Sequence, residues 1–405
     1  MPPDPQPVPP SSTNTVPGWL RDRLHQAGGS VPFRTYMDWA LHDPNHGYYG
    51  SGRARIGPTG DFATSPSLGQ DFAALLLPQL IEWLEQLPGE RLSLVEAGPG
   101  EGHLASQLVA GLAAFRPDLA SRTDLVLLEP NPGMVALQQQ ALRSSPLSVR
   151  WVDWEALHHA PVRGVVIAHE VLDALPVDRV LWDGCQWRWQ QVTEQEGHLC
   201  LAPGPALCPE ELATLPMVDP SQPGRQPGWC SEIHSALAPW FQSCAGALEQ
   251  GWLLVIDYAL DARRYYALPR SNGTLMGYRG QQATLDPLRD PGQWDLTAHL
   301  CLEAAQDAAE EAGWSLLGIR RQGEALLALG LAQRFSALSQ ASGSNLAEAL
   351  GRREQLLRLV DPLATGDFRW LVFQRLGPSV NGMGRESRCL GEPPPMEEMG
   401  AIALG

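Results

Sequence analysis

The chain has 405 residues, 44% hydrophobic and 18% charged, with a formal net charge of −16. That length can bury a large core in two or three structural units, and so acidic a balance argues against a general nucleic-acid or anionic-membrane binder, both of which need clustered basic residues. All 29 basic residues are Arg, which removes lysine-based covalent chemistry, and the seven scattered Cys lack a C-x-x-C pair, which argues against a disulfide framework or zinc site and for a reducing compartment.

Residues 1–17 are rich in Pro, Ser and Thr and are expected to be disordered. They show neither a signal nor a transit pattern. No apolar run approaches the roughly 20 residues that span a bilayer, so a cytoplasmic protein without stable membrane insertion is expected. Residues 18–90 read as a helical cap: helices from Trp19 and up to Leu41, a long loop from His42 to Gly69, and a helix over about Gln70–Leu87. A loop that long inside a compact domain is usually a lid or binding loop.

Residues 91–180 alternate strand and helix. Apolar runs at Leu92–Val95, Leu125–Leu128, Leu147–Val152 and Val165–Ala168 each end at an acidic residue or just before one, at Glu96, Glu129, Asp153 and Glu170. The spacing predicts a parallel, doubly wound sheet, which binds ligands at the carboxyl ends of its strands. Residues 181–230 change texture: Val180–Trp182 and Trp187–Val192 flank Asp183-Gly184 as an inserted β-hairpin, followed by a Pro-rich stretch. Within 231–376 the pattern predicts a helix over about Ser231–Leu248, a strand at Trp252–Ile256 and a long loop over 261–294. A helix then starts at Asp295-Leu296-Thr297, and strands follow at Trp314–Arg320 and Phe368–Leu376 with helices between them. The tail 377–405 is expected to be disordered.

Glu96-Ala97-Gly98-Pro99-Gly100-Glu101-Gly102 joins the first core strand to a helix. Glycines there let a ligand approach the backbone, and the helix start offers unpaired N–H groups. A dinucleotide fingerprint needs G-x-G-x-x-G and an acidic residue about 20 positions on. Here His103 stands where the third glycine would, and Glu129 comes too late. The pattern suits S-adenosylmethionine better, with Glu129 accepting from the ribose hydroxyls.

Several separated blocks share a further likeness: Phe33-Arg34-Thr35-Tyr36-Met37, His46-Gly47-Tyr48-Tyr49, Gly60-Asp61-Phe62-Ala63-Thr64-Ser65-Pro66, the glycine turn, His169-Glu170-Val171-Leu172-Asp173-Ala174-Leu175-Pro176, Asp257-Tyr258, Thr274–Arg279 and Asp295–His299. In these the chain resembles the MidA-like family of class I S-adenosylmethionine-dependent methyltransferases. Its mitochondrial members are protein arginine methyltransferases needed for assembly of respiratory complex I. The resemblance implies a Rossmann-like α/β fold: a seven-stranded, mostly parallel sheet with an N-terminal helical cap and lid and an inserted β-hairpin region. It also implies a protein substrate, in a bacterium a subunit of a complex I-like dehydrogenase. The chain departs from the family pattern at Ser67, His169 and Gln281, which bears on substrate more than on cofactor.

Methyl transfer asks for alignment more than for strong acids, and carboxylates orient a guanidinium bidentately. Glu170 and Asp173 are the candidate catalytic pair. The candidate cofactor residues are Asp61, Phe62, Thr64 and Ser65 from the lid; Glu96, Gly98, Gly100 and Gly102 from the turn; and Glu129, Asp153, Trp154 and His169 from later strand ends. Tyr258, Tyr278 and Arg279 are expected to line the substrate entrance. No metal is expected. A small-molecule or non-arginine methyl acceptor, or a cofactor-binding assembly factor without turnover, remain alternative readings of the same residues; the oligomeric state is open.

Overall fold

A computed structural model describes residues 15–57, 60–61, 64–213, 215, 224–340, 345–375 and 387–394. Its centre is a seven-stranded sheet in the order Ser315–Arg321, Arg369–Arg375, Leu248–Asp257, Val162–His169, Leu92–Ala97, Thr123–Leu128, Val149–Val152. The five strands from Leu248–Asp257 to Val149–Val152 pair in parallel; the other two join antiparallel at one edge.

Every residue of Leu92–Ala97 is buried, as a strand covered on both faces requires. Alternate side chains serve two separate cores. Leu94, Ile167 and Leu254 pack with the Asp71–Glu85 and His103–Phe115 helices. Val95, Ala168 and Val255 pack against the Leu237–Ala247 and Leu302–Glu311 helices on the other side. The chain leaves Leu92–Ala97 in one direction through Thr123–Leu128 and Val149–Val152, then returns to its other side at Val162–His169. That reversal opens a crevice at the carboxyl ends of the two strands, where such sheets hold ligands.

The inserted region is larger than a hairpin. Asp178–Trp182, Trp187–Gln195, His198–Ala206 and Cys230–Ile233 form an antiparallel sheet that also recruits Ser30–Pro32 from the cap. The Asp178–Trp182 strand begins before the boundary that composition suggests. Cys230–Ile233 is a strand where the sequence predicts the start of a helix, because Glu232 is fully buried and held by Arg179 and Thr274 rather than solvated. The helix begins only at Leu237.

Asp295–Thr297 likewise is a strand, not a helix start. It pairs with Met276–Arg279, which pairs in turn with Gln282–Thr284. The helix follows at Leu302, past the short Leu300–Cys301 strand.

Short parts of both terminal stretches take defined places in the fold. Thr15 bridges to His198 and Val16 is buried, with its N–H donating to the Gly197 carbonyl; residues 1–14 lie outside the described residues. In the tail, residues 387–394 dock on the core: Cys389 is buried, its N–H donates to Gln79, and Trp83 Nε1 donates to Ser387. The rest of 376–405 lies outside the described residues. No helix among the described residues is long and apolar enough to cross a membrane.

Candidate active site

The glycine turn takes its shape from backbone conformations that only glycine adopts freely. Gly98, Gly100 and Gly102 have φ of 61°, 53° and 84°. A Cβ on Gly98 would stand 2.9 Å from Val171, and one on Gly100 would stand 2.9 Å from Ile56. The turn therefore floors a cavity of about 330 Å³. Its walls include Thr64, Glu96, Glu129, Asp153, Trp154, His169 and Glu170. One cavity thus collects candidates from the turn, from three later strand ends and from the lid.

Within it, Glu96 is buried, and burial pushes its carboxyl up to about 8, partly offset by the Ala105 N–H. Its Oε2 has no partner. Glu129 is held by its neighbours: Oε1 accepts from the Asn131 N–H and Nδ2, and Oε2 accepts from Gln138 Nε2 at 3.1 Å. The same Gln138 nitrogen donates to the Gly100 carbonyl at 2.8 Å, and Trp151 Nε1 donates to its oxygen. Gln138, which the sequence reading missed, thus fixes the turn and the acidic residue relative to each other. Asp153 caps the Trp154–His159 helix through the Ala156 N–H, and Trp154 meets Trp240 edge-on. His169 is buried, stacks edge-on with Phe72, and is held neutral, its pKa pushed down to about 3 by burial.

Of the predicted cofactor residues, Asp61, Ser65 and Gly102 do not line this cavity; Gly102 lies instead against Gln138. Asp61 faces the other way: its carboxylate accepts from the Gly280 N–H and from Tyr48 Oη, which ties it to the Met276–Arg279 strand's turn. Ser65 is fully buried, with its Oγ toward Gln322, while its backbone N–H reaches Glu170. Arg279, predicted for the substrate entrance, is exposed, 3.9 Å from Asp290, because it follows Tyr278 along the strand and so points to the opposite face. Phe62 lies outside the described residues.

A second, smaller cavity of about 50 Å³ opens beside the first and shares Glu170 and Tyr49 with it. Its other walls are Asp173, Tyr258, Tyr278, Asp295 and Thr297. Glu170 sits at φ 53°, an uncommon conformation for a residue with a side chain; its N–H donates to the Ile256 carbonyl. The turn after it hangs on Asp257, whose Oδ2 accepts the N–H groups of Leu172 and Asp173 at 2.9 and 3.2 Å. Tyr49 donates to Asp295, whose Oδ1 has no partner. Burial raises every carboxyl here: Asp173 goes up to about 7, and Glu170, Asp257 and Asp295 are held well above the usual carboxylate range, with mutual repulsion adding to the effect. Among the described residues no Arg pairs with Glu170, Asp173, Asp257 or Asp295. The sequence hid Asp295 and Asp257, the first in an apparent helix cap and the second at the end of a core strand.

These shifts have a consequence for stability. A carboxyl whose folded pKa lies above its unfolded value near 4 adds stability at low pH, which is lost as pH rises through the folded value. Ligand-free protein is therefore expected to lose thermal stability between about pH 5 and 8.5, through the windows of Asp173 near 7 and Glu96 near 8. Glu96→Gln should match the wild type at pH 5 and melt higher at pH 8.5 in thermal unfolding. Equal melting at both pH values would contradict the shift at Glu96.

The cavity residues fit S-adenosylmethionine: an unsatisfied buried carboxylate, a glycine cradle that a Cβ would fill, and acidic residues at successive strand ends. Comparisons with known proteins agree. Residues 75–320 match the model of a family described as "Putative S-adenosyl-L-methionine-dependent methyltransferase". A Burkholderia thailandensis superfamily member, solved with bound S-adenosyl-homocysteine, is 29% identical with a TM-score of 0.77, covering 88% of this chain and 91% of that one. The "Protein arginine methyltransferase NDUFAF7 homolog, mitochondrial" of Drosophila melanogaster is 27% identical over 346 residues, covering 77% of this chain and 75% of that protein. The mouse "Protein arginine methyltransferase NDUFAF7, mitochondrial" is 25% identical over 403 residues, covering 91% and 87%.

Proposed function

The chain belongs to this family of S-adenosyl-L-methionine-dependent methyltransferases, and on that premise we propose that it methylates an arginine side chain of a protein. The single observation that carries the choice is the second cavity: three buried carboxyl groups and three tyrosines beside the cofactor site, with no cation of the protein's own among the described residues. Clustered carboxylates that desolvation and repulsion both penalise are relieved by a buried cation. A planar guanidinium, with five N–H donors and a positive charge, supplies both the charge and the matching hydrogen bonds.

When bound, S-adenosylmethionine supplies an electrophilic methyl group. The protein's part is alignment and proton handling. Glu170, on the wall common to both cavities, engages the guanidinium nitrogen nearest the cofactor. Asp173 and Asp295 hold the other nitrogens, and Asp257 keeps the 170–173 turn rigid from below. A methylated guanidinium keeps one positive charge, so the nitrogen that takes the methyl must lose one proton; Glu170, which engages that nitrogen and whose carboxyl burial holds well above the usual carboxylate range, is placed to take it. Tyr258 packs edge-on against Phe368 at 4.0 Å and walls the site from water. The proposed partner is a subunit of a complex I-like dehydrogenase, from the resemblance to the mitochondrial members.

Purified protein incubated with methyl-labelled S-adenosylmethionine and a cell extract is expected to label one polypeptide. Label appearing in small molecules with none in protein would overturn the proposal.

A further inference from the structure

Asp61 belongs to a loop that the sequence reading assigned to the cofactor, yet its side chain serves the other cavity. Its Oδ1 accepts the Gly280 N–H at 2.8 Å, and its carbonyl accepts the Gln281 N–H at 2.9 Å. Its Oδ2 accepts from Tyr48 Oη at 2.9 Å and from the Arg55 N–H at 3.3 Å. Gly280 and Gln281 form the turn between Met276–Arg279 and Gln282–Thr284, the hairpin that brings Tyr278 to the second cavity. Gln281 has φ 61°, so this turn is held in a conformation that a side-chain-bearing residue rarely adopts unaided.

Five residues earlier, the same chain is fastened to the first cavity. The Ile56 N–H donates to Glu101 Oε1 at 3.1 Å, and the Ile56 side chain lies against Gly100 and lines the cofactor cavity; Thr64, three residues after Asp61, lines it too. A ligand filling that cavity packs against residues on both sides of Asp61.

We propose that Asp61 is a positioning residue that couples cofactor binding to assembly of the substrate cavity, with the hairpin turn at Gly280-Gln281 as the element it holds. The proposal rests on the reading of the second cavity as the substrate site, but not on arginine as the substrate. It explains why Asp61 lies in a cofactor-facing loop without facing the cofactor.

The mechanism is ordinary linkage. An amide that donates to a carboxylate exchanges only when the bond opens. A ligand bound only to the closed form lowers the open fraction by a factor of one plus the ratio of free ligand concentration to Kd, about 100-fold at 100 times Kd.

Hydrogen exchange of the full chain, followed by mass spectrometry over residues 276–284 with and without saturating S-adenosylhomocysteine, reads this directly; calorimetry gives the Kd in parallel. In the wild type the ligand is expected to slow exchange of this hairpin at least about fivefold. In Asp61→Ala the slowing should vanish while the Kd stays within about threefold of wild type. Should that variant fail to fold, Asp61→Asn, which keeps the volume and one acceptor, should show at most half the wild-type slowing at unchanged Kd. A tenfold weaker Kd in either variant would make Asp61 a direct cofactor ligand and overturn the proposal. So would a wild-type hairpin indifferent to the ligand, or full slowing in both variants. Failure of the wild type to bind S-adenosylhomocysteine would instead strike the cofactor assignment itself, and calorimetry reports it separately.

Discussion

Glu170→Gln is expected to lower kcat by about 10² to 10³ while leaving the Kd of S-adenosylhomocysteine within about threefold. Glu170 is the one carboxyl on the wall common to both cavities, and its side chain is 8% exposed. Gln keeps the volume and tolerates the same backbone, so the φ of 53° need not change. What is lost is the negative charge and one acceptor, in a site where a charge-assisted bond to the substrate develops with little competition from water. Removing one such preorganised partner costs roughly that factor in rate. The fold should not suffer. Burial, together with Asp173 and Asp257, penalises the ionised form of Glu170 in the ligand-free protein. Replacing it with a neutral amide should hold or raise the melting temperature above pH 7, the usual sign of a residue kept for function at the expense of stability. Loss of activity with a lower melting temperature would point instead to a structural role. Retention of more than a tenth of wild-type kcat would remove Glu170 from the reaction.

Gly100→Val acts on the other side of the same boundary. Gly100 has φ 53°, where a β-branched residue is strained, and its Cβ would approach Ile56 Cδ1 to 2.9 Å. Backbone strain of this kind costs of order 1–3 kcal/mol, and the branched side chain would stand on the cavity floor as well. Ile56 can retreat only by moving the loop that Glu101 fastens to the turn. Together these are expected to weaken S-adenosylhomocysteine binding at least 100-fold, about 3 kcal/mol at 1.4 kcal/mol per factor of ten, and to abolish methyl transfer. Calorimetry and a thermal melt separate this from unfolding: the variant should still melt cooperatively. Binding within threefold of wild type would mean that the cofactor does not rest on the turn.

The sheet was legible because its signals are local. Leu92–Ala97 is buried on both faces and reads as apolar but for Ser93 and the terminal acidic Glu96, and the glycines after it have no other economical explanation than a tight, close-approach turn. All seven strands of the central sheet stand where apolar runs predict them. The cofactor cavity was legible for the same reason, since acidic residues at strand ends fall on one sheet edge by topology alone. The substrate side was not. Asp295 carries the pattern of a helix cap, Asp-Leu-Thr, and only pairing with Tyr278 makes it a strand residue facing a cavity. Glu232 reads as a solvated helix residue because nothing local announces Arg179, 53 positions away, as its partner. Asp61 lies in a loop and Arg279 at a strand end, where proximity in sequence to a motif says nothing about direction; one turns to the hairpin and the other to solvent. Local periodicity carries strand and helix identity, whereas long-range pairing decides which polar side chains meet.

The central claim, that the acidic and aromatic cavity beside the cofactor receives an arginine, is tested most directly by the chemical identity of the transferred group's acceptor. The polypeptide labelled from S-adenosylmethionine in cell extract should be hydrolysed to amino acids and the label separated by chromatography. Label co-migrating with Nω-methylated arginine, appearing at least about 100-fold more slowly when Glu170→Gln replaces the wild type, is the predicted result. Label on lysine, glutamine or histidine, or lost to mild base as a methyl ester, would contradict it.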